Sequence, residues 1–269
     1  MRSVAVANQK GGCGKTTTAV NLGACLGVLG HRVLLVDLDP QSHATIALSD
    51  PAELDRPGAA AVLAGQIAAQ SAVRPVARGV DLLGSSLDLD SLERRWDANR
   101  TAPPRLQNAL AGVAPSYDYL LIDCPPNTGA LTRTALAACD FLLLPVETSY
   151  FALFGVGRML RLVEEEESRR GRALPYAVLL TLFDRRTAHA RDVLKQLRDH
   201  FGTNLLDTVI TVNVSLREAA SHGRPITDYR PRSQGCQRYT ELAIELHRIL
   251  LPEANARAAM ASGGEGWTS

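Results

Sequence analysis

A short glycine-rich segment near the start of the chain has the composition of a phosphate-binding loop. Its glycines let the backbone wrap closely around an anion, and the N-terminus of the predicted helix that follows adds partial positive charge. Lys15 is placed to reach the β- and γ-phosphates of a nucleotide, and the hydroxyl of Thr16 suits Mg²⁺. We therefore predict that a nucleoside triphosphate and Mg²⁺ bind Lys10, Gly11, Gly12, Cys13, Gly14, Lys15, Thr16 and Thr17.

The first residue of this loop is a lysine in a chain that otherwise uses arginine. Three of the 29 basic residues are lysines, and two of those three, Lys10 and Lys15, lie in the loop. Loops of this kind ordinarily begin with glycine. Two lysines at one site indicate a need for compact, flexible ammonium groups rather than planar guanidinium groups.

Carboxylates follow two further predicted strands. Asp37 and Asp39 end the apolar run that begins at Val33, and Asp123 ends the run that begins at Leu120. In a parallel sheet the carboxyl ends of the strands border the crevice in which a nucleotide lies. Strand-end aspartates are often only caps, but beside a phosphate-binding loop we expect them to support Mg²⁺ and to orient an attacking water.

The elements that must position these groups alternate between short apolar runs and longer helical patterns. Runs that are apolar without alternation, such as residues 119–122, indicate strands buried on both faces. We therefore predict an α/β fold, a doubly wound and mainly parallel sheet with helices on both faces. The predicted strands are 4–7, 33–36, 80–83, 120–122, 141–146, 177–180 and 205–210, and the predicted helices are 16–29, 129–138, 151–168, 187–201 and 234–251.

The overall composition is that of a globular protein, with 269 residues, 46% hydrophobic and 21% charged. We predict one domain over residues 1–252, loop-rich segments at 49–57 and 100–104, and a disordered Ala/Gly/Ser-rich tail at 253–269. The five cysteines form no C-x-x-C motif, which disfavours zinc and disulfide frameworks and favours a reduced compartment. Neither a signal peptide nor a membrane span is recognisable, so we expect a soluble cytoplasmic protein.

The charge balance gives no global attraction to nucleic acid, since the net charge is +1. Residues 181–238, within the C-terminal third of the chain, hold ten Lys/Arg and six Asp/Glu, a local net charge of +4. A solvated arginine-rich surface explains that excess about as well as a binding face does.

The loop and the strand-end aspartates, together with other segments, resemble the ParA family of partition ATPases over residues 3–251. The matching segments read Asp-Leu-Asp-Pro-Gln at 37–41, Asp-Cys-Pro-Pro at 123–126, Leu-Phe-Asp-Arg-Arg-Thr at 182–187 and Ser-His-Gly-Arg-Pro at 221–225. The resemblance implies ATP and Mg²⁺ as cofactors and hydrolysis to ADP and phosphate that is slow without a partner. It also implies an ATP-bound homodimer in which Lys10 reaches the nucleotide of the other subunit.

The same resemblance implies roles for individual residues. Lys10, Lys15 and Asp39 are the implied catalytic residues, with Asp39 positioning the hydrolytic water. Thr16, Asp39 and Asp123 are the implied residues around the metal, and Asp37 is a nearby supporting or switch residue.

The family binds DNA without sequence preference when dimeric, which implies a nucleoid-associated protein that positions plasmid, chromosome or protein-complex cargo. The implied activator is a ParB-like or other cargo-adaptor protein. Arg186 matches a DNA-binding position, but Thr211 and Ser215 stand where the family commonly has proline and arginine. The predicted DNA contacts are Arg185, Arg186, Arg191, Lys195, Arg217 and Arg224.

Three alternative functions are open at this stage. A MinD-like membrane-cycling ATPase needs a C-terminal amphipathic helix, and residues 253–269 are poor in large apolar residues. A relative of nitrogenase iron protein needs cluster ligands, and Cys124 and Cys139 do not stand in the matching contexts. A nucleotide-binding scaffold without turnover is the third alternative. We expect no membrane partner.

Overall fold

The computed structural model describes residues 1–50, 54–99, 106–149 and 152–251. An eight-stranded sheet lies at its centre, built from β1 (Arg2–Val6), β2 (Val33–Asp37), β3 (Val73–Ala77), β4 (Val80–Leu83), β5 (Tyr119–Asp123), β6 (Phe141–Glu147), β7 (Tyr176–Phe183) and β8 (Leu205–Thr211). The strand order is β3-β4-β2-β5-β1-β6-β7-β8. Neighbouring strands are parallel except for β3 and β4, which are antiparallel.

Helices cover both faces of this sheet, which confirms the predicted doubly wound α/β fold. One face packs against α1 (Lys15–Val28), α2 (His43–Ile46), α9 (Val214–Ser221), α10 (Ile226–Tyr229) and α11 (Gln234–Leu250). The other packs against α3 (Ala59–Leu63), α4 (Leu89–Asn99), α5 (Leu106–Leu110), α6 (Ala130–Ala138), α7 (Ala152–Arg170) and α8 (Ala188–Phe201). Val4 and Val6 of β1 face the first set and Ala5 faces the second, so both faces of the strand are buried.

All seven predicted strands and all five predicted helices are present within a few residues of their expected bounds. The predicted helix 151–168 begins at Ala152 in the structure, and residue 151 lies outside the described ranges. Parts of both predicted loop segments and the predicted tail, 253–269, also fall outside those ranges. Within the residues that the structure describes, no helix has the length and apolar content needed to cross a membrane.

The strand that the sequence pattern misses is β3, which forms one edge of the sheet. It is only partly buried and contains Pro75, and its pairing with β4 shifts register between Pro75 and Ala77. Proline lacks the N–H that a central strand must donate, but an edge strand tolerates it. The turn to β4 passes through Gly79, whose φ of 71° lies in the left-handed region.

The parallel register brings the carboxyl ends of the central strands together. Asp37 at the end of β2 pairs directly with Asp123 at the end of β5, and Asp123 pairs on its other side with Val6 of β1. The chain leaves β1 at that point and enters α1. Helix α1 can pack closely here because Gly27 has no side chain. A Cβ at this position would stand 2.2 Å from the backbone carbonyl oxygen of Arg78.

Candidate nucleotide-binding site

Residues 10–17 (hereafter the phosphate loop) connect β1 to α1 in a tight turn. Gly12 and Gly14 have φ values of 76° and 86°, a conformation that strains any residue with a Cβ. The hydroxyl of Thr181, on β7, donates to the carbonyl of Cys13 at 2.8 Å and holds the loop against the sheet. The first turn of α1 follows directly, so its free N–H groups border the same space.

Lys15 lies within this loop rather than in solvent, with 6% of its surface exposed. Its Nζ donates to the carbonyl oxygen of Lys10 at 3.0 Å, across the mouth of the loop. An ammonium group at that place faces the centre of the loop, where the phosphates of a nucleotide would lie.

A cavity of about 570 Å³ opens beside the phosphate loop (the first cavity). A second cavity of about 360 Å³ adjoins it and shares Gly12, Gly14, Thr17, Leu216 and Ala220. The remaining walls of the first cavity are Gly11, Lys15, Thr16, Val20, Asn21, Asp39, Gln41, His43, Ile46, Ala47, Pro126, Ala219, Ser221 and Arg224. The second is completed by Thr181, Leu182, Ile210, Thr211, Val212, Asn213, Arg217 and Tyr239. Pockets of this size suit a small organic ligand such as a nucleotide.

Asp123 carries an unpaired carboxyl group beneath the phosphate loop. The residue is 0% exposed, and neither carboxyl oxygen accepts a hydrogen bond of normal geometry from the described part of the chain. Burial, followed by the Asp37 carboxylate, raises the pKa of Asp123 well above its ordinary value, while the nearby Thr16 hydroxyl and Lys15 act in the opposite direction. A buried carboxylate without a partner indicates a group that a cation completes.

Asp37 is buried like Asp123 but is fully engaged in hydrogen bonds. Its Oδ2 accepts from the backbone N–H and the hydroxyl of Thr45 at 2.9 and 2.7 Å, and its Oδ1 accepts from the N–H of Asp39 at 3.0 Å. Burial raises the pKa of Asp37 to about 6, although the hydrogen bonds from Thr45 and Asp39 act in the opposite direction. Asp37 therefore organises the chain between β2 and α2.

Asp39 reaches the wall of the first cavity from that organised segment. Its Oδ1 accepts from the N–H of Gln41 at 2.9 Å, and its carbonyl accepts from the hydroxyl of Ser85 at 2.9 Å. A residue whose carboxylate and backbone carbonyl are both hydrogen-bonded at a cavity wall is suited to orienting a water molecule.

The donor set beside the loop fits Mg²⁺ with few protein ligands. In the described ranges no group of three or more His, Cys, Asp or Glu side chains is placed to hold a metal ion by itself. Mg²⁺ commonly takes one or two protein oxygens, with phosphate oxygens and water as its other ligands. The Thr16 hydroxyl and the unpaired Asp123 carboxylate supply protein oxygens of that kind.

Lys10 lies at the edge of the site and contacts its own chain. Its Nζ donates to the hydroxyl of Ser149 at 2.9 Å and forms an ion pair with Glu147, at the carboxyl end of β6. The Lys10 side chain remains 35% exposed. Glu147 and Ser149 are not among the site residues predicted from the sequence, although both follow a predicted strand as the site aspartates do.

The predicted DNA contacts divide into two groups in the structure. Four of them are exposed: Arg185 and Arg186 lie just before α8, and Arg191 and Lys195 lie on it. Arg186 is 88% exposed and pairs through two nitrogens with Asp184, and this pairing lowers the pKa of the aspartate to about 2. The other two predicted contacts border the cavities instead: Arg217 lines the second cavity and Arg224 lines the first.

Two positions that depart from the family pattern also have defined places. Thr211 lines the second cavity. Ser215, on α9, accepts a hydrogen bond at 3.2 Å from the guanidinium of Arg230. A cation therefore lies beside Ser215 although the residue itself is neutral.

Comparisons with known proteins find relatives that match most of the chain. A family model described as "AAA domain" matches residues 1–174. The sporulation initiation inhibitor protein Soj of Bacillus subtilis is 39% identical over 245 residues, which cover 90% of this chain and 97% of Soj. The chromosome partitioning protein ParA of Caulobacter vibrioides is 38% identical over 250 residues, covering 91% and 94% of the two chains.

A solved structure shows the same fold with ligands in place. Cobyrinic acid a,c-diamide synthase from Mycobacterium smegmatis, with a bound ATP analogue and magnesium, matches with a TM-score of 0.75 and 36% identity. The match covers 92% of this chain and 95% of that chain. A protein that is similar to this chain over most of its length therefore binds an ATP analogue and magnesium on the same fold.

Proposed function

Because this chain belongs to the ParA/Soj family of P-loop ATPases, we propose that it binds ATP with Mg²⁺ at the phosphate loop and hydrolyses it to ADP and phosphate. The observation that carries this proposal is the unpaired, buried carboxylate of Asp123 beside Thr16 and Lys15. Because burial raises the pKa of this carboxyl group, a cation bound beside it would favour the ionised form that can hold a metal ion.

Different residues of the chain bind the phosphates, hold the metal ion and orient the attacking water. Lys15 exchanges the carbonyl of Lys10 for phosphate oxygens, and the N–H groups of the loop bind the phosphates. Thr16 and Asp123 would hold Mg²⁺, which neutralises charge on the phosphate oxygens when it is bound. Asp39, fixed by Gln41 and Ser85, orients the attacking water at the cavity wall.

Lys10 acts on a second copy of the chain in this proposal. Lys15 already takes the position inside the loop, so Lys10 is available for the nucleotide of the other subunit once it leaves Glu147 and Ser149. ATP then joins two protomers, and hydrolysis separates them. The nucleotide state would thereby control the oligomeric state.

The ATP-bound homodimer binds DNA without sequence preference and positions plasmid, chromosome or protein-complex cargo on nucleoid DNA. The exposed arginines and lysine at α8 support this, since basic side chains contact phosphates irrespective of sequence. A dimer carries two such surfaces, which raises its affinity over that of a monomer. A ParB-like or other cargo-adaptor protein stimulates hydrolysis and releases the dimer.

Phosphate release measured with and without duplex DNA tests the proposal. The wild type should hydrolyse ATP slowly, and Lys15→Ala should lose nucleotide binding in a calorimetric titration while unfolding at the same temperature as the wild type without nucleotide. Tight ATP binding without phosphate release, alone, with DNA, or with the product of an adjacent partner gene, would instead indicate a nucleotide-binding scaffold.

A further inference from the structure

A buried network of hydroxyl and carboxyl groups joins the ends of β2 and β4 to helix α2. Its members are Thr45, Ser85, Asp37 and Asp39 (hereafter the hydroxyl network). Thr45, on α2, is 0% exposed, and Ser85, two residues after β4, is 1% exposed. Neither of these two residues lines the nucleotide cavities. Any influence that they have on a nucleotide must therefore act through other residues.

The Thr45 hydroxyl is the centre of the hydroxyl network because it both donates and accepts. It donates to Oδ2 of Asp37 at 2.7 Å and accepts from the backbone N–H of Ser85 at 2.9 Å. The N–H group can only donate, so the hydroxyl hydrogen is directed to Asp37. Thr45 thereby joins a carboxyl group at the end of β2 to the backbone after β4.

Asp39 is held by both of the residues that contact the Thr45 hydroxyl. Its N–H donates to Oδ1 of Asp37 at 3.0 Å, and its carbonyl oxygen accepts from the hydroxyl of Ser85 at 2.9 Å. The same carbonyl accepts from the N–H of Ser42 at 2.8 Å, which closes the turn from Asp39 to α2. The backbone of Asp39 is thus fixed from two directions by one network.

The turn between Asp39 and α2 depends on these anchors. Ser42 has a φ of 57°, in the left-handed region, which is uncommon for a residue other than glycine. A backbone in such a conformation persists only where its surroundings determine it. The loss of an anchor would therefore let the turn move, and the Asp39 side chain would move with it.

The backbone after β4 is a firm support for this turn. The carbonyl oxygen of Gly84 accepts from the N–H of Ala59 at 2.8 Å, and a Cβ at Gly58 would stand 2.4 Å from that oxygen. On the other side, a Cβ at Gly84 would stand 3.2 Å from Cγ2 of Thr45. Backbone packed this closely leaves little room for Ser85 to shift.

We propose that Thr45 is a positioning residue for ATP hydrolysis, which sets the place of the Asp39 carboxylate through Asp37 and Ser85 without contacting the nucleotide. This inference rests on the proposed function, in which Asp39 orients the attacking water. A misplacement of about 1 Å at a reacting group can lower a rate about 100-fold. The hydroxyl network therefore controls turnover although its hydroxyl groups lie outside the cavities.

Phosphate release from radiolabelled ATP, measured with the full chain, tests the proposal. Thr45→Val removes the hydroxyl and nearly keeps the shape of the side chain, and it should lower kcat by about 10- to 100-fold. ATP affinity in a calorimetric titration should not change, because no contact with the nucleotide is lost. Thr45→Ser keeps the hydroxyl and should retain most of the wild-type kcat.

A double-mutant cycle shows whether Thr45 acts through Asp39. The carboxylate is absent from Asp39→Ala, so adding Thr45→Val to that variant should cause no further loss of activity. A further loss as large as the loss in the wild type would mean that Thr45 acts independently of Asp39, and it would overturn the proposal.

Ser85→Ala keeps the proposal testable if Thr45→Val does not fold. The Asp39 carbonyl still accepts from Ser42 in this variant, so that buried acceptor keeps a donor. Ser85→Ala should lower kcat and leave ATP affinity unchanged, as Thr45→Val does.

Ser3→Ala is the matched control for the loss of a buried hydroxyl. Ser3 is 4% exposed, and its hydroxyl donates to the backbone carbonyl of Ala138 at 3.1 Å. It lies at the amino end of β1, whereas the phosphate loop follows the carboxyl end of that strand. This variant should unfold at a lower temperature than the wild type and keep the wild-type kcat.

The possible failures are distinguishable. Wild-type kcat in both Thr45→Val and Ser85→Ala overturns the positioning role and leaves the proposed function intact. Loss of ATP binding by folded Thr45→Val shows that the residue shapes the nucleotide site itself, which also overturns a positioning role for Asp39 alone. A wild type that releases no phosphate, with or without DNA and the product of an adjacent partner gene, overturns the proposed hydrolysis and this inference together.

Discussion

Replacing Asp123 with asparagine should make the nucleotide-free protein more stable and abolish its stabilisation by Mg²⁺ and ATP. Burial and the neighbouring Asp37 carboxylate raise the pKa of Asp123 well above its ordinary value of 3.8. An acid whose pKa is raised by folding contributes stability below that ordinary value and loses it as the pH rises towards the folded pKa. At neutral pH the carboxyl group of Asp123 therefore weakens the fold.

The magnitude follows from the lack of hydrogen bonds from the described residues to either carboxyl oxygen. A buried polar group without a partner costs about 1–3 kcal/mol, and an ionised group costs more. The substitution still leaves a neutral amide buried at this position, so we expect a net gain of about 1–3 kcal/mol. For a chain of this length 1 kcal/mol corresponds to a shift of about 2–4 °C in Tm, which gives an increase of about 2–12 °C.

Thermal unfolding at pH 7.5, with and without MgATP, measures both effects. A ligand at 100 times its Kd adds about 2.7 kcal/mol to the wild type. Asp123→Asn should show almost none of that gain, since it lacks the carboxylate proposed for Mg²⁺. The difference in Tm between Asp123→Asn and the wild type should therefore become smaller or change sign when ligand is added.

Asp37→Asn is the matched control, because the same change is made at a buried carboxyl group directly opposite in the sheet. Asp37 accepts three hydrogen bonds, two of them from Thr45, and an amide nitrogen cannot accept. This variant should lose about 1–3 kcal/mol. A lower Tm for nucleotide-free Asp123→Asn, or an undiminished MgATP shift in that variant, would refute the reasoning.

Three further predictions concern the dimer, turnover and pH. Lys10→Ala should bind ATP but fail to form dimers with a slowly hydrolysed analogue in light scattering, and dimers equal to those of the wild type would remove Lys10 from the interface. Asp39→Ala should retain ATP and Mg²⁺ while phosphate release falls by about 10²–10⁴-fold, the usual contribution of a general base; undiminished release would assign the water to another group. Burial and then His31 lower the pKa of His247, whose Nδ1 lies 2.7 Å from the Tyr119 hydroxyl. The stability that neutral His247 contributes should therefore be complete above pH 6.5 and be lost as the pH falls below that value. The urea midpoint of His247→Gln should depend less on pH between about 7.5 and 5.5 than that of the wild type, and equal dependence would contradict this assignment.

The phosphate loop and the strand-end aspartates could be predicted from the sequence because their determinants are local. Glycines, a lysine and a threonine directly before a helix specify a loop through backbone conformation and helix polarity. Buried parallel strands are continuous apolar runs, so the residues at their ends are also recognisable. The pairing of Asp37 with Asp123 follows from the strand order, which the structure shows and the sequence pattern does not reveal.

The contacts that the sequence could not reveal join residues far apart in the chain. Lys10 and Ser149 are separated by 139 positions, and no local pattern relates them. Helix α9 has eight residues, too few for its periodicity to show that Arg217 lines a cavity while Ser215 accepts a hydrogen bond from Arg230. Strand β3 escaped detection because Pro75 and partial exposure disrupt the strand pattern.

The irregular edges of the sheet have a consequence for the DNA-bound assembly that we propose. At one edge β3 carries Pro75 and a register shift, and at the other edge the pairing of β8 with β7 shifts register twice. An edge without a regular row of donors and acceptors is a poor template for a strand from a neighbouring molecule, which is how proteins avoid amyloid-like growth. Crowding on a chromosome would thus favour reversible assembly through the nucleotide face over irreversible aggregation through the sheet.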